Sequence, residues 1–115
     1  MKLSELHGKG LEGGTLVEYE RGYGFSREWG RATIVRVGVH ADQADFFEIE
    51  TDSDRAFMGL SLTYYGDIDI HEDAGIYFWA SPQGWCYAVA PAGKDIPEPP
   101  GVKRMHDRAM TEGAR

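Results

Sequence analysis

The run Asp67-Ile68-Asp69-Ile70-His71-Glu72-Asp73 gathers residue types that hold metal ions. Carboxylates beside an imidazole suit Mn²⁺, Fe²⁺ or Zn²⁺. In an extended chain Asp67, Asp69 and His71, with Asp73 after them, project from one face. The spacing works against a single ion, because side chains at i and i+2 lie about 6.5–7 Å apart along a strand. The Gly and the twelfth-position Glu of an EF-hand loop do not fall in place. The competing expectation is a solvated strand face opposite buried Ile68 and Ile70, the ordinary fate of a charge run.

His40 with Asp42 and Asp45 forms a second polar group, and pairing of His40 with Asp69 or Asp73 is the acid–base constellation to look for. Cys86 is the one cysteine. It has no disulfide partner in the chain, forms no cysteine-based zinc site, and reads as an inert buried thiol between Trp85 and Tyr87. Gly8-Lys9-Gly10-Leu11-Glu12-Gly13-Gly14 has neither the Walker spacing nor a dinucleotide fingerprint. No cofactor is implied.

Aromatic residues make the largest constellation. Tyr77, Trp79, Trp85 and Tyr87 fall together if Gly75–Pro91 is a β-hairpin, and Tyr23, Phe25 and Trp29 punctuate a glycine-rich loop. Such a cluster is core, subunit interface or small-molecule pocket. Of the two functional roles, the interface ranks above the pocket. With Glu18, Glu48 and Asp69 nearby, a pocket would favour a cation through charge and ring-face attraction.

The hairpin is the element that must position these rings. Ser81-Pro82-Gln83-Gly84 fits a type I turn, and Pro82 cannot take the positive φ of a two-residue hairpin loop. A three-residue loop with Gly84 in a bulge pairs Ala80 with Cys86, Trp79 with Tyr87, Phe78 with Ala88 and Tyr77 with Val89. One face then carries Tyr77, Trp79, Trp85, Tyr87 and Val89. The other carries Ile76, Phe78, Ala80, Cys86, Ala88 and Ala90.

Elsewhere, Thr15–Glu20 reads as a strand with Val17 and Tyr19 on one face and Glu18 and Glu20 on the other. Arg31–Val39 places Thr33, Val35, Val37 and Val39 on one face at strict period two. Asp45–Thr51 points Phe47 and Ile49 inward. Ala56–Tyr65 fits both a strand and a helical turn, and Gly59, Thr63 and the paired tyrosines favour the strand. Asp67–His71 reads as a further strand. Asp95–Gly101, with three prolines, runs extended. Val102–Met110 has the spacing of a short amphipathic helix or tail. The expected fold is mainly β: a single-domain antiparallel sheet or partly open barrel of about six or seven strands. Residues 1–96 form the β-rich part, and 97–115 a Pro-rich linker with the C-terminal helix. The alternative is α+β with a helix near 53–62.

At 115 residues the chain suits one domain, and its 42% hydrophobic and 27% charged content is that of a globular chain. No run approaches the roughly 18 apolar residues of a membrane span. The first residues lack the apolar core of a signal peptide, so a cytoplasmic placement is expected, with no membrane partner. Residues 37–100 hold twelve acidic residues against two basic ones, within a net charge of −7. That disfavours nucleic acid and permits a cationic partner. The preferred expectation is a non-enzymatic binding protein. It forms a homodimer, with the aromatic hairpin or the Tyr23–Trp29 loop at the contact, and its acidic middle recognises a basic protein. A metal-dependent enzyme or metal-binding barrel using Asp67, Asp69, His71 and His40 is the second. The third is an organic-cation pocket lined by Trp79 and Tyr87.

Overall fold

The computed structural model describes residues 1–21, 25–54, 57–81 and 84–113. Seven antiparallel strands form one curled, half-barrel sheet. They are β1 (Thr15–Glu20), β2 (Arg27–His40), β3 (Gln43–Thr51), β4 (Met58–Ser61), β5 (His71–Asp73), β6 (Ile76–Ala80) and β7 (Trp85–Ala90), in the spatial order β4-β3-β2-β1-β7-β6-β5. A single helical turn, α1 (Leu62–Tyr65), follows β4, and α2 (Pro99–Gly113) ends the described chain. Among the described residues, no helix is long and apolar enough to cross a membrane.

Both faces of β1, β6 and β7 are covered. Leu3, Leu6 and Leu11 from the N-terminal segment fill the concave side against Leu16, Ile34, Phe47, Ile49, Trp79 and Val89. Helix α2 lays Val102 and Met105 on the opposite face, against Val17, Tyr19, Ile76, Phe78, Cys86 and Ala88. Burial of these side chains on both sides of β1 and β7 is the main source of stability, at about 25 cal/mol per Å² of apolar surface.

The β6–β7 hairpin has the register its turn chemistry predicts. Tyr77 pairs with Val89, Phe78 with Ala88, Trp79 with Tyr87 and Ala80 with Cys86. Gly84 adopts φ 93°, and its N–H donates to Ser81 O at 3.0 Å while Ser81 N–H donates to Trp85 O at 2.6 Å. Pro82 and Gln83 lie outside the described residues.

Four local expectations are corrected. The register of β2 against β3 shifts between Ile34 and Arg36. Val35 is the extra residue, and the inward phase passes from Ala32 and Ile34 to Val37, which leaves Val35 57% exposed. Val39, beside the β2–β3 turn, is also exposed. Residues 62–65 turn as a helix, because Ser61 Oγ accepts the Tyr64 N–H at 3.1 Å and caps it. Residues 67–70 are not a strand of the sheet. Their backbone bonds with the N-terminal segment, Leu3 N–H to Ile68 O at 2.9 Å and Ile70 N–H to Met1 O at 2.8 Å, leaving a single bridge between Lys2 and Asp69. Finally, α2 begins at Pro99, inside the stretch expected to be extended. Proline is tolerated in a helix's first turn, where its missing N–H has no intrahelical role.

Candidate functional site

Strand β1 is paired on both edges, and separate clusters pack its two faces, Leu16 in one and Val17 and Tyr19 in the other, so Glu18 lies on a face that the chain itself packs. The carboxyl faces the concave side, directly opposite Tyr87 on β7 and Gly30 on β2. It is 8% exposed. Tyr87, across the β1–β7 pairing, is its polar neighbour. Burial raises the Glu18 pKa, and the neighbouring Tyr87 side chain opposes that rise. Tyr87 is itself shifted upward, first by burial and then by the neighbouring Glu18 charge. Trp79 stacks on Tyr87 at 5.5 Å and 25°, fixing the phenol's plane.

A bulge sets the wall above this floor. Glu18 pairs with Gly30 and Tyr19 with Glu28, so Trp29 is the extra residue of β2. Its ring lies 5.7 Å from that of Trp85. Trp29 is 48% exposed, and the Arg27 guanidinium sits 4.8 Å from its ring centroid while bound to Glu20 at 2.5 Å. Asp54 and Phe57 from the β3–β4 connection, and Gly59 of β4, close the hollow on the other side. Together with Glu18, Trp29, Trp85 and Tyr87 they line a cleft of ≈ 370 Å³. Phe57 is 58% exposed at its rim. Two carboxylates and four aromatic rings therefore share one hollow, and none of its described lining residues is basic.

Of the aromatic residues singled out by sequence, Trp29, Trp85 and Tyr87 meet in this cleft. Trp79 supports it from the core, with its Nε1–H unpartnered among the described residues. Tyr77 is half-buried against the same core. Phe25 lies on the other face of the sheet, beneath α2, with its ring 4.6 Å from His106. Tyr23 lies outside the described residues. Asp54 and Phe57 were missed by sequence reasoning. Asp54 reads as part of a surface turn and Phe57 as part of a strand, and local pattern does not encode their place in this hollow.

The acidic run is dispersed. Asp67 accepts from Ser4 N–H at 3.0 Å and Ser4 Oγ at 2.5 Å. Asp69 pairs with Lys2 at 2.8 Å, and this bond holds its carboxyl below the usual range. His71 packs 5.7 Å from Phe78, and His40 Nδ1 accepts the Asp42 N–H at 3.0 Å. Among the described residues, no three His, Cys, Asp or Glu side chains are placed to hold a metal ion. Cys86 is fully buried, and burial pushes its thiol up to about 11. Of the other hollows, one of ≈ 370 Å³ beside His7 contains Arg36, whose charge is matched by Glu48 and Glu50. Another of ≈ 190 Å³, between β3 and β4, has no buried charged side chain. Comparison of the chain with protein-family models, with curated proteins and with solved structures gave no match.

Proposed function

We propose that this chain is a non-catalytic binding protein whose working surface is the cleft over Glu18. One observation carries the reading: a carboxyl group 8% exposed lies in the same hollow as two aromatic side chains, Trp29 and Phe57, that are about half exposed. Stability alone would place an apolar residue on the central strand and turn aromatic rings inward. A buried acid under an open aromatic rim serves recognition: the rings supply apolar contact and the carboxyl sets orientation. Barrel mouths are a recurrent place for such sites.

The test is to titrate ¹⁵N-labelled protein with benzylamine, benzyl alcohol and benzoate, which share a ring and differ in charge. Saturable shifts gathered on Glu18, Gly30, Tyr87 and the indole N–H groups of Trp29 and Trp85 support the reading. Shifts gathered elsewhere, or none with any of the three, refute it.

Homodimerisation is a second reading, favoured by the exposed Val35 and Val39 on β2. Trp79 and Tyr87 are buried by the chain itself, so the contact would use β2 and the rim rings Trp29 and Phe57. Sedimentation at micromolar concentration tests it, and a strict monomer would exclude it.

A further inference from the structure

We infer that the cleft over Glu18 selects a compact alkylated ammonium ion as its ligand. The inference rests on the cleft being the binding surface and adds the chemistry of the occupant.

Charge is the first ground. Glu18 and Asp54 line the hollow, and no described lining residue is basic. None of the ion pairs among the described residues includes Glu18. A buried carboxylate without a cationic partner is costly, and a cation seated above it removes that cost. An anionic ligand would meet two carboxylates at close range.

The rings decide which cation. Indole and phenol faces attract positive charge through their quadrupole, most strongly when water is excluded. Trp29 already takes the Arg27 guanidinium at 4.8 Å, so this ring holds a cation in the protein's own structure. The lining narrows the choice further: four of its seven residues are aromatic and two are carboxylates, whereas a hard metal ion prefers about six oxygen ligands and a bare –NH₃⁺ donates to three acceptors. An ammonium whose hydrogens are replaced by methyl groups needs few or none. It spreads its charge over methyl surface that packs on Trp29, Trp85, Tyr87 and Phe57. The ≈ 370 Å³ hollow matches the low end of small-molecule sites.

Choline chloride and its neutral isostere 3,3-dimethyl-1-butanol, titrated calorimetrically at constant ionic strength, separate charge from shape. The expected result is saturable choline binding at least ten-fold tighter than that of the isostere. Glu18→Gln should weaken choline ten-fold or more and leave the isostere unchanged. Trp29→Ala, at a half-exposed position, should weaken choline and serves as the test if Glu18→Gln does not fold. Equal binding of choline and the isostere, or undiminished choline binding by the folded variants, overturns the assignment while leaving the cleft as a binding surface. A trimethyllysine peptide binding ten-fold tighter than choline overturns the small-molecule occupant in favour of a protein partner. If neither choline nor the isostere moves the Trp29 and Trp85 indole signals, this inference is overturned; the cleft reading falls as well if the benzyl series is also silent.

Discussion

Lowering the pH should loosen the contact between α2 and the sheet, through His106. Its imidazole lies between Phe25 at 4.6 Å and Phe78 at 4.7 Å, 8% exposed, with Nε2 unpartnered among the described residues. His71 from β5 and Arg21 beyond β1 add positive charge nearby, and Asp107 opposes them weakly. Burial first, then these charges, pushes His106 from 6.5 down to about 4. Between those values the unfolded chain binds the proton and the folded chain does not. The contribution is therefore complete above about pH 6.5 and is lost as pH falls toward 4. At 1.36 kcal/mol per pH unit the loss is ~3 kcal/mol, a large share of an ordinary domain's stability. Urea unfolding at pH 7, 5.5 and 4 on the wild type and on His106→Leu measures it, since carboxylate titrations common to both cancel in the difference. The wild type should lose about 3 kcal/mol more than the variant. Parallel pH profiles, or an imidazole that titrates near 6.5 by NMR while α2 stays docked, would refute the reasoning.

Three further outcomes follow from packing and burial. A Cβ on Gly14 would lie 2.0 Å from Ala90 O and 2.9 Å from Leu11 O, so Gly14→Ala must move backbone; thermal unfolding should show a loss of about 2–4 kcal/mol, and a change within 0.5 would contradict the close approach. Val35→Thr should be nearly neutral and Val37→Thr should cost about 1–3 kcal/mol, because the bulge exposes the first and buries the second; equal losses would remove the bulge from the account. Cys86 should resist Ellman's reagent at pH 8 until the protein unfolds, being fully buried with its thiol pushed up to about 11; stoichiometric labelling of the native protein within minutes would count against that burial.

The elements closed by local chemistry were the legible ones. Ser81-Pro82-Gln83-Gly84 specified a loop length, and the loop length specified the pairing and both faces of β6 and β7. Phe47 and Ile49 declared their inward face by alternation. The misread stretches were settled by partners distant in sequence or by a break in period. In β2, valines at 35, 37 and 39 fit an unbroken phase, and the bulge that interrupts it is specified by pairing with β3. Residues 67–70 looked like a strand until Ser4 and Lys2, over 60 residues away, took up Asp67 and Asp69. Within Thr-Leu-Val-Glu-Tyr-Glu, alternation assigns Glu18 only to the face opposite Val17 and Tyr19. Its burial comes from packing on that face, where the strand order sets Gly30 and Tyr87 beside it, an order that local pattern does not encode. The aromatic half of the cleft was visible as residue types. Its assembly over Glu18, with Asp54 and Phe57 from the β3–β4 connection, joins segments distant in sequence.

The central claim is that the hollow over Glu18 is the working surface, and the most direct measurement is a choline titration followed by amide and indole NMR shifts. The account predicts saturable shifts at Glu18, Gly30 and Tyr87 and at the indoles of Trp29 and Trp85, strongly diminished in Glu18→Gln. Shifts centred on the hollow near His7 and Arg36, or on the one between β3 and β4, would contradict it.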